Sequence, residues 1–188
     1  MPDAEKWPPY TVIRSENRLK ELHSVIEHLK IDADPADPAI TELSRLLVVR
    51  SCGHLETTFS CCFLKYIERH ASKTVADYVE GTFKKWQSPK PDNIKNNLRK
   101  MSPAIEERLR NFLTQDGRDY SAELGSLVNE RDRISHGDND RVTIRSSENY
   151  YKIALEISEW FLAEFSPGGA ADQCVVQTHF NSSQQVIE

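Results

Sequence analysis

The chain has 188 residues, of which 38% are hydrophobic and 28% charged, with a net charge of −5. That length supports one domain with a real core, and the balance of residues is that of an ordinary globular protein. The acidity argues against a generally cationic nucleic-acid binder, although it leaves local basic patches open. No apolar run approaches membrane-spanning length. The opening Met-Pro-Asp-Ala-Glu-Lys-Trp-Pro-Pro has no apolar core and does not read as a secretory signal, so a cytoplasmic location is expected.

The pattern is all-helical throughout. A first helix, about Arg14 to Leu29, places Leu19, Leu22, Val25, Ile26 and Leu29 on one side. Asp32-Ala-Asp-Pro-Ala-Asp-Pro breaks it. The second helix is long, about Ala39 to Ala71, and apolar on two sides. Leu43, Leu46, Leu47, Cys61 and Leu64 form one face; Val48, Leu55, Phe59, Phe63 and Tyr66 form the other. Such a helix lies centrally in a bundle or contacts a second subunit. Arg50, Gly53 and His54 interrupt its first face; Arg50 and His54, four residues apart, either complete a functional site or form a satisfied polar layer.

Ser72 can cap a third helix reaching Trp86, ended by Ser88-Pro-Lys-Pro. Pro91 and Pro103 suit the first positions of two short helices, with Ser102 as the cap of the latter. Asp116-Gly117 precedes a helix at about Asp119 to Ser135. Val142-Thr-Ile144 hints at strand alternation before a last helix, about Ser147 to Phe165. The expected organisation is one helical domain over residues 1–166 and a polar, disordered tail over 167–188.

Two segments carry chemistry. Between Lys84 and Lys100, the cations Lys84, Lys85, Lys90, Lys95, Arg99 and Lys100 face a lone carboxylate, Asp92, with Trp86 among them. Cations interleaved with an aromatic suit phosphate contact and base stacking in RNA; a solvated surface is the plainer reading. The second segment runs from Arg131 to Asp138. Tyr120, Leu124, Leu127, Val128 and Ile134 share one helical face; Arg131 falls near its centre and Arg133 points away. An unpaired buried charge costs several kcal/mol, so Arg131 needs a partner or a cleft. His136 ends the helix, where the dipole favours a cationic imidazole, and Gly137 suits the left-handed position beyond it. Asp132, four residues before His136, stands where it can orient the ring.

The four cysteines and six histidines show no metal-ligand spacing, so neither a metal nor another cofactor is expected.

Together these residues resemble a HEPN domain (higher eukaryotes and prokaryotes nucleotide-binding). That superfamily is marked by arginine, a polar residue, three variable residues and histidine at the end of a late helix. Arg131, Asp132 and His136 match position by position, and Glu130 and Gly137 fit the setting. Leu47-Val-Val-Arg-Ser-Cys-Gly-His-Leu-Glu56, Phe83-Lys-Lys-Trp-Gln and Leu127-Val-Asn-Glu-Arg131 resemble the RiboL-PSP-HEPN group, over about Ile40 to Phe165.

The resemblance implies an up-and-down helical bundle. For many members it also implies metal-independent endoribonuclease activity in toxin–antitoxin, phage-defence or RNA-processing systems, with the motifs of two subunits paired. It makes Arg131, His136 and Asp132 the catalytic candidates, with Arg50, His54, Glu56 and Glu130 as candidates to support them. Expected partners are an RNA substrate, a second copy of the chain and, for a toxin, a neutralising antitoxin. Other members bind nucleotides or partner proteins without catalysis, which is the alternative reading.

Overall fold

The computed structural model describes residues 6–32, 37–83, 88–138 and 142–173. Every regular element among them is helical, and the order is α1 (Tyr10–Asp32), α2 (Pro38–His70), α3 (Lys73–Phe83), α4 (Pro91–Met101), α5 (Pro103–Leu113), a 3-10 turn (Gln115–Gly117), α6 (Tyr120–His136) and α7 (Ile144–Glu164). No helix among the described residues is long and apolar enough to cross a membrane.

Local chemistry sets most of these boundaries. Pro38 stands in the first turn of α2, where its missing N–H is harmless, and the Asp37 carboxylate accepts from the Ala39 N–H at 2.8 Å. Pro91 and Pro103 open α4 and α5 as expected, but the Ser102 side chain makes no capping hydrogen bond. The strand hint at Val142-Thr-Ile144 is a helix start instead. Thr143 caps α7, its hydroxyl accepting from the Ser146 N–H at 3.1 Å, while its own N–H donates to the Ser146 hydroxyl at 2.9 Å. This reciprocal capping box satisfies amides that a strand would have left to a partner.

α2 is the central rod. α7 packs along it, α1 covers another side, and α3 and α6 also lie against it. Its two-sided apolarity is therefore largely covered within one chain. Phe59, Phe63, Phe161 and Phe165 form the aromatic heart of the core, with the Phe59 and Phe161 ring centroids 4.3 Å apart. Leu109, Leu124, Leu127 and Val128 bring α5 and α6 onto the same core. A smaller cluster of Leu19, Ile26 and Leu47 joins α1 to α2. The face containing Leu43 and Leu46 is narrower than its pattern suggests, since Leu46 remains 41% exposed.

The C-terminal segment also departs from expectation. Residues 167–173, read from the sequence as the start of the tail, fold back on the bundle with a further turn of helix at 170–173. Ala171 is buried, and the Asp172 carboxylate accepts from Arg69 at 3.0 Å and pairs with His70 at 2.8 Å. The remainder of the expected tail, 174–188, lies outside the described residues.

Candidate functional site

α6 is built to hold its last turn in one place. Asp119 accepts from the Ala122 N–H at 2.9 Å at the N-terminus. At the other end Gly137 adopts φ 70°, with its N–H on the Ile134 carbonyl and the Asp138 N–H on that of Arg133. These paired bonds form a Schellman ending, for which glycine is the least strained residue. Tyr120, Leu124, Leu127 and Val128 are buried as the stripe requires, and Ile134 packs against the core.

Arg131 emerges from that stripe toward α2, with a side chain only 24% exposed. Its Nη2 donates to Glu56 Oε1 at 3.0 Å and to Ser88 Oγ at 3.3 Å, and its Nε lies 3.4 Å from Asp132. Burial disfavours the charged guanidinium, but Cys52, Glu56 and Asp132 together more than offset it and hold the charge. Burial also raises Glu56 from its ordinary value; Arg131 opposes that shift and Asp132 adds to it. Cys52 stands beside this group as a neutral thiol, pushed up to about 11 by burial.

Two further members join the site: Ser88, which the sequence did not single out, and Lys90, which it placed only in the basic segment. The chain between α3 and α4 carries them to α6, with the Ser88 carbonyl accepting from the Lys90 N–H at 2.7 Å and from Asn93 at 3.2 Å. Lys90 Nζ lies 3.9 Å from the Asp132 carboxylate. No local sequence pattern announces such a docking; only the composition of the basic segment points toward it.

His136 is exposed at the helix end. It stands five residues beyond Arg131, about 140° around the helix, and so is not directed into the Glu56 contact. Asp132 does not orient it: among the described residues no hydrogen bond joins the two, and Asp132 turns to Arg131 and Lys90 instead. The four-residue spacing permitted the contact, but two cations attract the carboxylate more strongly than an exposed imidazole.

The remaining candidates separate. Glu130 lies 3.9 Å from Arg133 and lines a hollow with Tyr150 and Asp132, which it shares with the edge of the Arg131 cluster. Arg50 and His54 face α1 across a different groove and do not complete the Arg131 site. His54 is 1% exposed, its Nδ1 3.2 Å from Ser15 Oγ, and burial pushes its pKa down to about 4. In the basic segment Lys95 donates to Ser121 at 3.2 Å, and Arg99 donates to the buried Glu106 at 3.3 Å. Lys100 is exposed, while Lys84, Lys85 and Trp86 lie outside the described residues.

The family model described as RiboL-PSP-HEPN matches residues 13–161 of the chain. The chain belongs to the RiboL-PSP-HEPN family. Comparison with curated proteins and with solved structures gives no match. The HEPN match begins within α1, so the first helix is part of the domain although the sequence offers nothing diagnostic there. It also spans the whole of α6, so Arg131 and His136 sit within the matched HEPN region.

Among the described residues of this HEPN chain, histidine and acids gather at ligand spacing in His23, Glu27 and Glu148. The Lys30 ammonium already donates to both carboxylates there, at 2.9 and 2.5 Å, and the His23 ring stacks on Tyr151 with centroids 4.2 Å apart. A cation's place is taken, so the residues do not suit a metal ion.

Proposed function

We propose that this HEPN domain is a metal-independent endoribonuclease acting in a toxin–antitoxin, phage-defence or RNA-processing setting. Membership of the family supports an RNA-related function of HEPN type. The observation that carries the finer reading is Arg131, a guanidinium drawn out of an apolar stripe and held in a partly open cluster at the same helix end that presents His136.

In this chemistry the ribose 2′-oxygen attacks the adjacent phosphorus while the bond to the 5′-oxygen breaks. A base takes the 2′-proton, an acid gives one to the departing 5′-oxygen, and a cation meets the charge growing on phosphorus. An imidazole nitrogen can take up or give a proton, so His136 serves as base or acid. The planar fork of Arg131 matches phosphate oxygens bidentately. An arriving phosphate must displace Glu56 from Arg131, and burial makes Glu56 the weaker competitor. Lys90 supplies a second cation beside Asp132 at the edge of the cluster. One histidine cannot easily serve both ends of the reaction; a second copy of the chain, related by a two-fold axis, provides the other.

The experiment is cleavage of a labelled RNA by the purified protein in EDTA. Products ending in 2′,3′-cyclic phosphate and 5′-hydroxyl, lost in His136→Ala, are expected. Complete loss of activity in chelator, restored by magnesium, overturns the acid–base reading. The Arg131–Glu56 ion pair and the absence of an Asp132–His136 contact favour a second reading, a HEPN module that binds nucleotides or a partner without catalysis. RNA binding without cleavage under all conditions would establish it.

A further inference from the structure

Among the described residues four arginines make no ion pair. Arg69 is neutralised by Asp172, Arg99 and Arg110 by Glu106, Arg108 by Glu164, Arg118 by Glu123 and Glu156, and Arg131 by Glu56. Arg14, Arg18, Arg50 and Arg145 are exposed and make no ion pair with any described residue. Arg145 stands on α7, but Arg14, Arg18 and Arg50 line one groove between α1 and α2, a concavity of about 590 Å³. Arg14 and Arg18 are one turn apart on α1, and Arg50 comes from α2.

The rest of the lining is suited to a ligand rather than to packing. Ser15 and Thr57 add hydroxyl groups, and Leu46 and Val49 add an apolar wall. His54 closes the inner side, with Ser15 on its Nδ1 and its buried Nε2 without a hydrogen-bond partner among the described residues. Glu16, the carboxylate whose charge acts on His54, is tied to Lys20 and does not line the groove. Uncompensated like charges repel, so three guanidinium groups around one hollow gain from an anion between them. Their planar donors fit phosphate oxygens, and the volume falls in the range of about 300–1,000 Å³ typical of small-molecule sites.

We propose that the α1–α2 groove binds the phosphate of a nucleotide, clamped by Arg14, Arg18 and Arg50, with the sugar or base against Leu46 and Val49. The site is on the α1 side of α2, whereas Glu56 meets Arg131 from α6. It is therefore separate from the cleavage site and stands whether or not the chain cuts RNA. The phosphate has two sources, a free nucleotide or a nucleotide within a strand.

Titration calorimetry of the full chain with inorganic pyrophosphate, ADP and a 5′-phosphorylated 2′-O-methyl oligonucleotide tests the proposal and separates the sources. Arg14→Gln/Arg18→Gln/Arg50→Gln should weaken binding about tenfold or more and flatten its salt dependence. Gly53→Leu is an independent variant that leaves every charge in place. Gly53 lies in the groove wall with open space where a Cβ would stand, so leucine at this position projects into the groove and should weaken binding to a similar extent. Arg133→Gln, exposed on α6, should bind as the wild type does. Tight pyrophosphate and ADP binding identifies a free nucleotide; binding of the oligonucleotide alone, lost in the triple variant, identifies a strand. Binding of all three probes unchanged in both groove variants, or no binding by the wild type, overturns the proposal. So does arginine-dependent binding of a polyglutamate peptide in place of the phosphate probes.

Discussion

Arg131 must release Glu56 before it can hold a phosphate, and that exchange makes its substitution different in kind from that of His136. His136 is exposed and carries nothing structural, so His136→Ala should abolish cleavage with thermal unfolding unchanged. Arg131→Ala should abolish cleavage too, but at a cost of about 1 kcal/mol, because the half-buried Glu56 is left without its partner. Arg133→Ala, on the opposite face, should leave activity near wild type; equal damage from it would mean that RNA approaches α6 from the other side. His54 yields a pH prediction with a definite sign. The unfolded chain binds the imidazole proton near 6.5, while burial, aided by Lys20 and opposed by Glu16, keeps the folded chain from binding it until about 4. Stability is therefore whole above 6.5 and lost as pH falls toward 4. Urea unfolding should show wild type losing about 2–3 kcal/mol more than His54→Gln between about pH 7 and 4.5. The direction of Arg131 was legible because a charge amid Leu124, Leu127 and Val128 has few places to go. Its partner was not: Glu56, Ser88 and Lys90 reach it from across the fold, and Asp132 chose cations over the histidine that spacing alone had suggested.

Helix ends were the most legible elements, since Asp37-Pro38, Pro91, Pro103, Asp119 and Gly137 act through their own backbone neighbours. The failures come from the same physics at short range and from contacts at long range. At Val142-Thr-Ile144 three alternating residues are too few to define a strand, and the Thr143 hydroxyl does better by capping α7. Thr143→Ala should lower stability by about 1 kcal/mol, read from the urea midpoint with an unchanged slope. Gly137→Ala should lower it by about 1–2 kcal/mol, because φ 70° strains any residue with a Cβ. Residues 167–173 look like the start of a tail because nothing in Pro167-Gly-Gly foretells that Asp172 will meet Arg69 and His70, about a hundred positions earlier. The basic segment divides in a way composition cannot show: Arg99 serves the buried Glu106 and Lys95 reaches Ser121, whereas Lys100 is exposed. Changing Lys84, Lys85, Lys95 and Lys100 together to Gln, with Arg99 kept, should reduce the slope of log affinity against log salt by roughly one for each phosphate no longer held. An unchanged slope returns the segment to a solvated surface.

For the chain as a whole, the question is whether one copy suffices. The two apolar sides of α2 no longer call for a partner, because α1 and α7 cover them within the chain. What calls for one is the end of α6. Arg131 and His136 are offset around the helix, so a single copy does not close them on one phosphate, and the reaction needs two proton-transfer groups where this helix end offers one histidine. A two-fold axis near the α6 terminus answers both demands, since an isologous interface presents the same residues twice. Light scattering at micromolar concentration should therefore give about twice the 21.6 kDa chain mass. Mixing is the sharper measurement. His136→Ala protein mixed with wild type forms heterodimers that keep one histidine at the shared cleft. If the cleft needs the histidines of both copies, cleavage should fall with the square of the wild-type fraction. A fall in simple proportion to that fraction would place each site within a single chain, and a monomer with full ribonuclease activity would remove the need for a second copy.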